Sequence, residues 1–395
     1  MSIYKRTSGR YAVLIDVDRA ADGKRKRRPL GTFRTRKEAE RAERDALTAR
    51  DRGIDIAPDR VTVGQLLDRY VRDRRALGRG DVTVDRYQEL ADRSITPHIG
   101  AISVAKLRPA HVSELLTTLR SHGSAKGAPL SAKTVKHAFS LLKAALTWAV
   151  RHELVGRNVA DAVTPPQVRR SEATALSVDE AQRIIAGADT GRWGPFMRLA
   201  LATGARRGEL LALRWRDVDL VAGTVTIRAS LSDAKSGVVE KGTKTDRVRV
   251  VALAVTAVEA LRRQRVLQGQ DHLALGGELQ PNGCIIGGAF NDTGHVFQTA
   301  LGGTIRPRRA TEVFREIAER VGISTTSLHA LRHTAVSWLI SAGVDVRTAA
   351  SIAGHASPSV TLGIYSHLVL GAQAKAVTAI DDRLATPPID RKEAK

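Results

Sequence analysis

Two linkers, at residues 51–58 and 165–172, cut this chain into regions whose hydrophobic patterns no single fold can satisfy together. The first linker carries Asp51-Arg52-Gly53 and Pro58; the second opens on Pro165-Pro166, which stiffens the backbone, and then turns charged. Before the first linker the pattern is that of short strands. Residues 11–17 are rich in strand formers, Asp22-Gly23 signals a turn, and a second short strand is expected over 30–33. Between them lies the basic run Lys24-Arg25-Lys26-Arg27-Arg28. Thr35 with Glu38 three residues on is a capping box that opens a helix reaching about Arg50. The expectation is a small β-β-β-α module whose basic hairpin can sit in a DNA groove.

From about residue 61 to 163 the period changes to that of helices. Val63, Leu66, Leu67, Tyr70 and Val71 recur at three- and four-residue spacing, as do Phe139, Leu142, Ala145, Leu146 and Ala149. Pro109, Gly123 and Gly127 mark breaks, and Lys133, Lys136 and Lys143 lie beside the stripes. This predicts a domain of four or five helices with one basic face. After the second linker, Ser177 and Glu180 form another capping box and open the largest region. That region alternates helices with short strands, expected near 224–228 and 248–253, while paired glycines mark loops between about 269 and 306. Those glycines lack the lysine and serine or threonine of a phosphate-binding P-loop. The fold class is therefore mainly α with small β-sheets, an α+β chain.

The charge balance narrows the partner. The chain carries 63 Lys and Arg against 41 Asp and Glu, a formal net charge of +22. Such an excess, spread along the whole chain, favours nucleic acid over a membrane surface, because neutralising phosphates releases counterions. The single cysteine, Cys284, leaves neither an internal disulfide nor a cysteine zinc cluster, which suits a reducing cytoplasm. Residues 1–10 are polar and basic and do not read as a signal peptide, and no apolar run is long enough to span a bilayer.

Three clusters and a tyrosine carry the chemistry. In Thr203-Gly204-Ala205-Arg206-Arg207-Gly208-Glu209-Leu210, a glycine turn can present Arg206 inward from a helix start. Guanidinium suits phosphate because its planar fork donates two hydrogen bonds. Glu209 can hold an arginine in place, whereas Arg207 reads as a surface residue. His329, Arg332 and His333 fall at i, i+3 and i+4, so a helix would put them on one face. A zinc-protease pattern needs a glutamate after the first histidine, and Ala330 stands there. Gly354-His355 follows a helix expected over 345–352, and Tyr365 lies ten residues after His355. A neutral phenol is a weak nucleophile; arginines that stabilise its phenolate and a histidine that takes its proton would arm it.

Taken together the clusters resemble the tyrosine recombinases, in particular the phage-type integrases, firmly over about 174–370 and at the level of domain plan over 1–165. The resemblance rests on Arg206 after its Thr-Gly turn, the His-x-x-Arg box at His329 and Arg332, Gly354-His355, and Ile364-Tyr365-Ser366-His367. Ala353 stands where that family usually has leucine. It implies a site made of Arg206, a β-hairpin lysine, His329, His355, Arg332 and the nucleophile Tyr365. For the lysine, Lys244 fits the family spacing better than Lys241. The implied reaction forms a 3′-phosphotyrosine and frees a 5′-hydroxyl, with no cofactor, ATP or metal. The implied partners are double-stranded DNA attachment sites and a homotetramer on DNA, with a host DNA-bending protein and a directionality factor left open.

The implied domains are an arm-type DNA-binding module (1–56), a helical core-DNA-binding domain (57–168), the catalytic domain (169–370) and a tail (371–395). Val369, Ala372, Ala376, Val377, Ile380 and Leu384 follow near-helical spacing. That stripe can dock on a neighbouring protomer or pack on its own catalytic domain. The expected setting is the bacterial cytoplasm, at the nucleoid. Three rival readings are a type IB topoisomerase, a non-catalytic architectural or regulatory DNA-binding protein, and a metal-dependent nuclease.

Overall fold

The computed structural model describes residues 2–7, 9–19, 25–51, 61–123, 127–168, 175–242, 248–280, 285–323, 326–354 and 357. It divides into two compact units, Met1–Arg169 and Arg170–Lys395. Lys244, His355, Tyr365 and the tail 371–395 lie outside the described residues.

The first unit opens with an antiparallel sheet in the order β1 (Ser2–Lys5), β2 (Tyr11–Arg19), β3 (Arg25–Phe33), followed by α1 (Arg36–Asp51). The three strands and helix of the expected module are all present. The basic run is placed differently from the expectation. Residues 25–28 are not a loop between strands but the first half of β3, with Arg28 paired to Ile15 and Arg27 to Asp16. Thr35 and Glu38 do form the reciprocal cap of α1: each backbone N–H reaches the other's side chain at 3.2 Å.

The helical domain contains α2 (Val63–Ala76), α3 (Asp81–Leu90), α4 (Thr96–Ile99), α5 (Pro109–His122) and α6 (Ala132–Arg151), with a π-helical stretch over Ala91–Ile95. Thr62 and Gln65 make a capping box for α2, and Ser131 caps α6 by accepting from the Thr134 amide. Both apolar stripes read from the sequence are buried, and Leu66, Leu67, Leu115, Leu119 and Leu142 form the centre of one core. Lys133 and Lys136 are exposed, but Lys143 pairs with Asp161 at 2.9 Å, so the basic face is less charged than its lysines suggest.

The second unit begins with α7 (Val178–Asp189), opened by the expected Ser177–Glu180 box, then α8 (Gly194–Thr203) and the short α9 (Arg207–Leu211). Next come β4 (Val218–Asp219), β5 (Thr224–Ile227), the hairpin β6 (Ala229–Ala234) and β7 (Gly237–Gly242), and β8 (Arg249–Ala252). Among the described residues one sheet runs in the order β4-β5-β8, while β6 and β7 pair only with each other. After α10 (Val255–Ala274), the two-residue strands β9 (Glu278–Leu279) and β10 (Ile285–Ile286) make a small hairpin where the glycines had suggested loop alone. The unit continues with α11 (Pro307–Arg320), α12 (Leu328–Ser341) and α13 (Val346–Ala353). Its main core gathers Phe196, Leu199, Leu211, Leu261, Phe314 and Leu331, and α13 packs on α12 through Val336, Ile340, Ala349 and Ala353. Among the described residues no helix is long and apolar enough to cross a membrane.

Candidate active site

Two helices in the second unit end alike, on a glycine in the left-handed region just before a predicted site residue. Gly204, at φ +58°, closes α8, and Gly354, at φ +72°, closes α13. A side chain at such φ costs about 1 kcal/mol or more, which glycine avoids. After Gly204 the chain turns so that Arg206 becomes the N-cap of α9, and Glu209 lies one turn on. Arg206 Nη1 donates to Glu209 Oε1 at 2.9 Å, and the Arg206 amide donates to Oε2 at 3.0 Å. Glu209 is 2% exposed and takes a second guanidinium, Arg249 Nη2, at 2.6 Å. Burial alone would raise its pKa. The hydrogen bond and charge of Arg249, then the bonds from Arg206, outweigh burial and hold the carboxylate below its ordinary range. Glu209 is thus a fixed anion that holds Arg206 with part of that side chain open.

On α12 the i, i+3, i+4 spacing delivers three neighbours with different surroundings. Arg332 is 3% exposed, and its Nη1 donates to the carbonyls of Gly204, at 2.7 Å, and Ala353. One cation therefore sits against the last carbonyls of both α8 and α13, where the helix dipoles favour positive charge. His329 and His333 meet edge to face, ring centroids 4.7 Å apart. His329 keeps an edge open to solvent at the cavity mouth, yet protein encloses enough of the ring to make charging it unfavourable. That burial, followed by the charges of His333, Arg332 and Arg206, pushes its pKa down to about 4. Burial and then Arg332 lower His333 as well. Both imidazoles are therefore neutral near pH 7.

Arg206, His329 and Arg332 line one cavity of about 430 Å³, together with Ser230 and Ser232 of β6 and the rim residue Arg207. Arg207, read from sequence as a surface residue, is exposed and hydrogen-bonds Thr311 of α11. Gly208 lets α9 approach the hairpin: a Cβ there would stand 2.3 Å from the Leu231 carbonyl oxygen. Lys241 lies in β7 opposite Ser230. A larger hollow of about 630 Å³, lined by Ile185, Leu201, Trp338 and Leu339, is mostly apolar. Its charged pair, Asp189 and Arg198, is mutually satisfied, whereas the smaller cavity gathers Arg206, Arg207, His329 and Arg332 and is the candidate site for chemistry.

The sequence reading missed Arg249. Its partners lie in Glu209 and at residues 352 and 353, and no local motif connects them.

Comparison with known proteins places the chain in a family. Residues 174–370 match the phage integrase family and residues 2–49 match an arm DNA-binding domain. A XerC-like tyrosine recombinase of Caldanaerobacter subterraneus subsp. tengcongensis is 25% identical over 391 residues, covering 94% of this chain and 96% of its own. Tyrosine recombinase XerD of Mycobacterium tuberculosis is 30% identical over 315 residues, covering 77% of this chain and 87% of its own. In fold, the chain is similar to a lambda integrase, solved as a tetramer bound to a Holliday junction, at TM-score 0.58 and 20% identity, covering 90% and 96% of the two chains. The chain belongs to the phage integrase family and is a site-specific tyrosine recombinase.

Proposed function

We propose that this recombinase integrates or excises a phage genome or other mobile element, cutting and rejoining DNA through a 3′-phosphotyrosine on Tyr365. The observation that carries the reading is the convergence of Arg206, Arg332 and a neutral His329 on one cavity. Arg206 and Arg332 are the groups for the non-bridging oxygens, where charge builds as phosphorus is attacked. A neutral His329 can accept the phenol proton, and His355, one residue past the α13 cap, adds a hydrogen bond to the phosphate. The Tyr365 oxygen bonds to phosphorus as the bond to the 5′-oxygen breaks. Lys244 supplies the proton that leaves with that 5′-hydroxyl. The 5′-hydroxyl of a partner strand then attacks the phosphotyrosine, which restores a phosphodiester and frees the phenol, so no outside energy source enters.

The unit boundary near residue 169 and the arm match at 2–49 support a division into arm module (1–56), helical core-binding domain (57–168) and catalytic domain (169–370). We assign as partners two duplex attachment sites and three further copies of the chain, a stoichiometry that the lambda integrase tetramer on a Holliday junction supports. The tail 371–395 is assigned to docking on a neighbouring protomer, and the setting to a bacterial cytoplasm. Deleting 371–395 should weaken tetramer assembly on DNA, and unchanged assembly would refute the docking.

The test uses a nicked duplex carrying the core sequence that the full chain selects from random DNA. With a strong chelator present, wild type should give a protein–DNA adduct that survives denaturant, and Tyr365→Phe should bind but give none. An adduct that forms equally with Tyr365→Phe, or only with added metal, would sink the reading.

A further inference from the structure

Arg206 and the segment leading to His355 come from parts of the catalytic unit far apart in sequence, yet one side chain bonds to the supports of both. Arg249 opens β8, and its side chain is 11% exposed against Glu209 at 1%. Its Nη2 donates to Glu209 Oε2 at 2.6 Å, and Glu209 in turn holds the Arg206 guanidinium and amide. From the same guanidinium, Nε donates to the Ile352 carbonyl at 3.0 Å and Nη2 to the Ala353 carbonyl at 3.3 Å. The left-handed turn at Gly354 lies directly against it: a Cβ at that glycine would stand 2.6 Å from Arg249 Nη1. The next residue along the chain is His355. Residues 243–247, which include Lys244, immediately precede β8 across Val248.

We propose that Arg249 is a positioning residue for strand cleavage. It fixes the Glu209–Arg206 pair relative to the end of α13, so that Arg206 and His355 address one phosphate. The inference rests on the functional reading above, since it needs those two groups to act together. Stability alone is a poor reason for this arrangement. A buried ion pair offsets little more than its own desolvation, and a packed apolar side chain would hold β8 against α13 as well. What hydrocarbon cannot supply is a planar fork that bonds a carboxylate and two carbonyls in fixed directions. Lysine cannot supply it either, having one nitrogen to place.

The experiment measures single-turnover adduct formation on the nicked duplex for wild type, Arg249→Lys, Arg249→Met and Tyr365→Phe, with thermal melts of each. Misplacement of catalytic groups by about 1 Å can slow a reaction by around 100-fold. We expect the saturating rate to fall roughly 10-fold for Arg249→Lys and roughly 100-fold for Arg249→Met, with half-saturating DNA concentration within about twofold of wild type. If a folded variant keeps its rate within about threefold, the proposal fails. It also fails if rate and DNA affinity fall in step, or if neither variant melts cooperatively, since Arg249 would then serve folding alone. Wild type without an adduct, or Tyr365→Phe with one, overturns the functional reading and this inference with it.

Discussion

In the helical domain the buried side chains are mainly hydrocarbon, and among its described residues no charged side chain is buried. Its ion pairs, such as Arg86–Glu89 at 3.5 Å and Arg93–Glu89 at 3.3 Å, stand in solvent and contribute little. The catalytic unit does the opposite. It takes Glu209 and Arg332 almost wholly out of water, encloses Arg249, and joins them through the carbonyls that end two helices. The first arrangement tolerates small shifts, because dispersion and burial are nearly non-directional. The second does not, because each charged hydrogen bond requires its partner at one distance and angle. Enclosed charge in this molecule therefore coincides with the place where geometry must be kept.

The largest expected effect breaks the charged side of that contrast. Arg332→Met leaves the carbonyls of Gly204 and Ala353 without this donor and removes the proposed phosphate ligand. The catalytic unit should lose about 3–5 kcal/mol in denaturant unfolding, the adduct should vanish, and the helical domain should be unaffected. Next, Leu142→Ala opens a cavity in the apolar core and should cost about 3 kcal/mol in the helical domain alone. A matching loss in the catalytic unit would erase the contrast. Smaller again is Gly354→Ala, which forces a Cβ into the left-handed region and against the Arg249 guanidinium. We expect about 1–2 kcal/mol, with adduct formation slowed more than DNA binding.

The smallest effect is in the pH dependence. His329 is charged near pH 6.5 when unfolded but only near pH 4 when folded, so the unfolded chain holds more protons between those values. Stability conferred by the neutral ring is complete above pH 6.5 and is lost as pH falls toward 4. Thermal melts of His329→Asn should show a shallower fall over that window than wild type, and an identical fall would remove His329 as its source.

The sequence made the helical domain legible because its core lies on i, i+3, i+4 stripes, and helix starts were legible because Ser177–Glu180 and Thr35–Glu38 are local signals. The Arg206–Glu209 link was readable for the same reason, being one helical turn. Arg249 was not, because its partners are separated from it by strands and helices and meet only in the fold. Spacing also could not tell that Arg332 turns inward to two carbonyls while its neighbour His329 stays at the cavity mouth. The strand through residues 25–28 was hidden by charge, since a run of Lys and Arg has no apolar alternation to reveal pairing. The helix Val255–Ala274 was hidden by the opposite defect, with apolar residues falling on every side.

The most direct test of the central claim is to digest the denaturant-stable adduct with protease and sequence the DNA-linked peptide by mass spectrometry. The account predicts one linkage, a phosphate joining Tyr365 to the 3′ end of the cut strand, with a free 5′-hydroxyl opposite. Linkage at any of the other four tyrosines among the chain's five, or to a 5′ end, would contradict it.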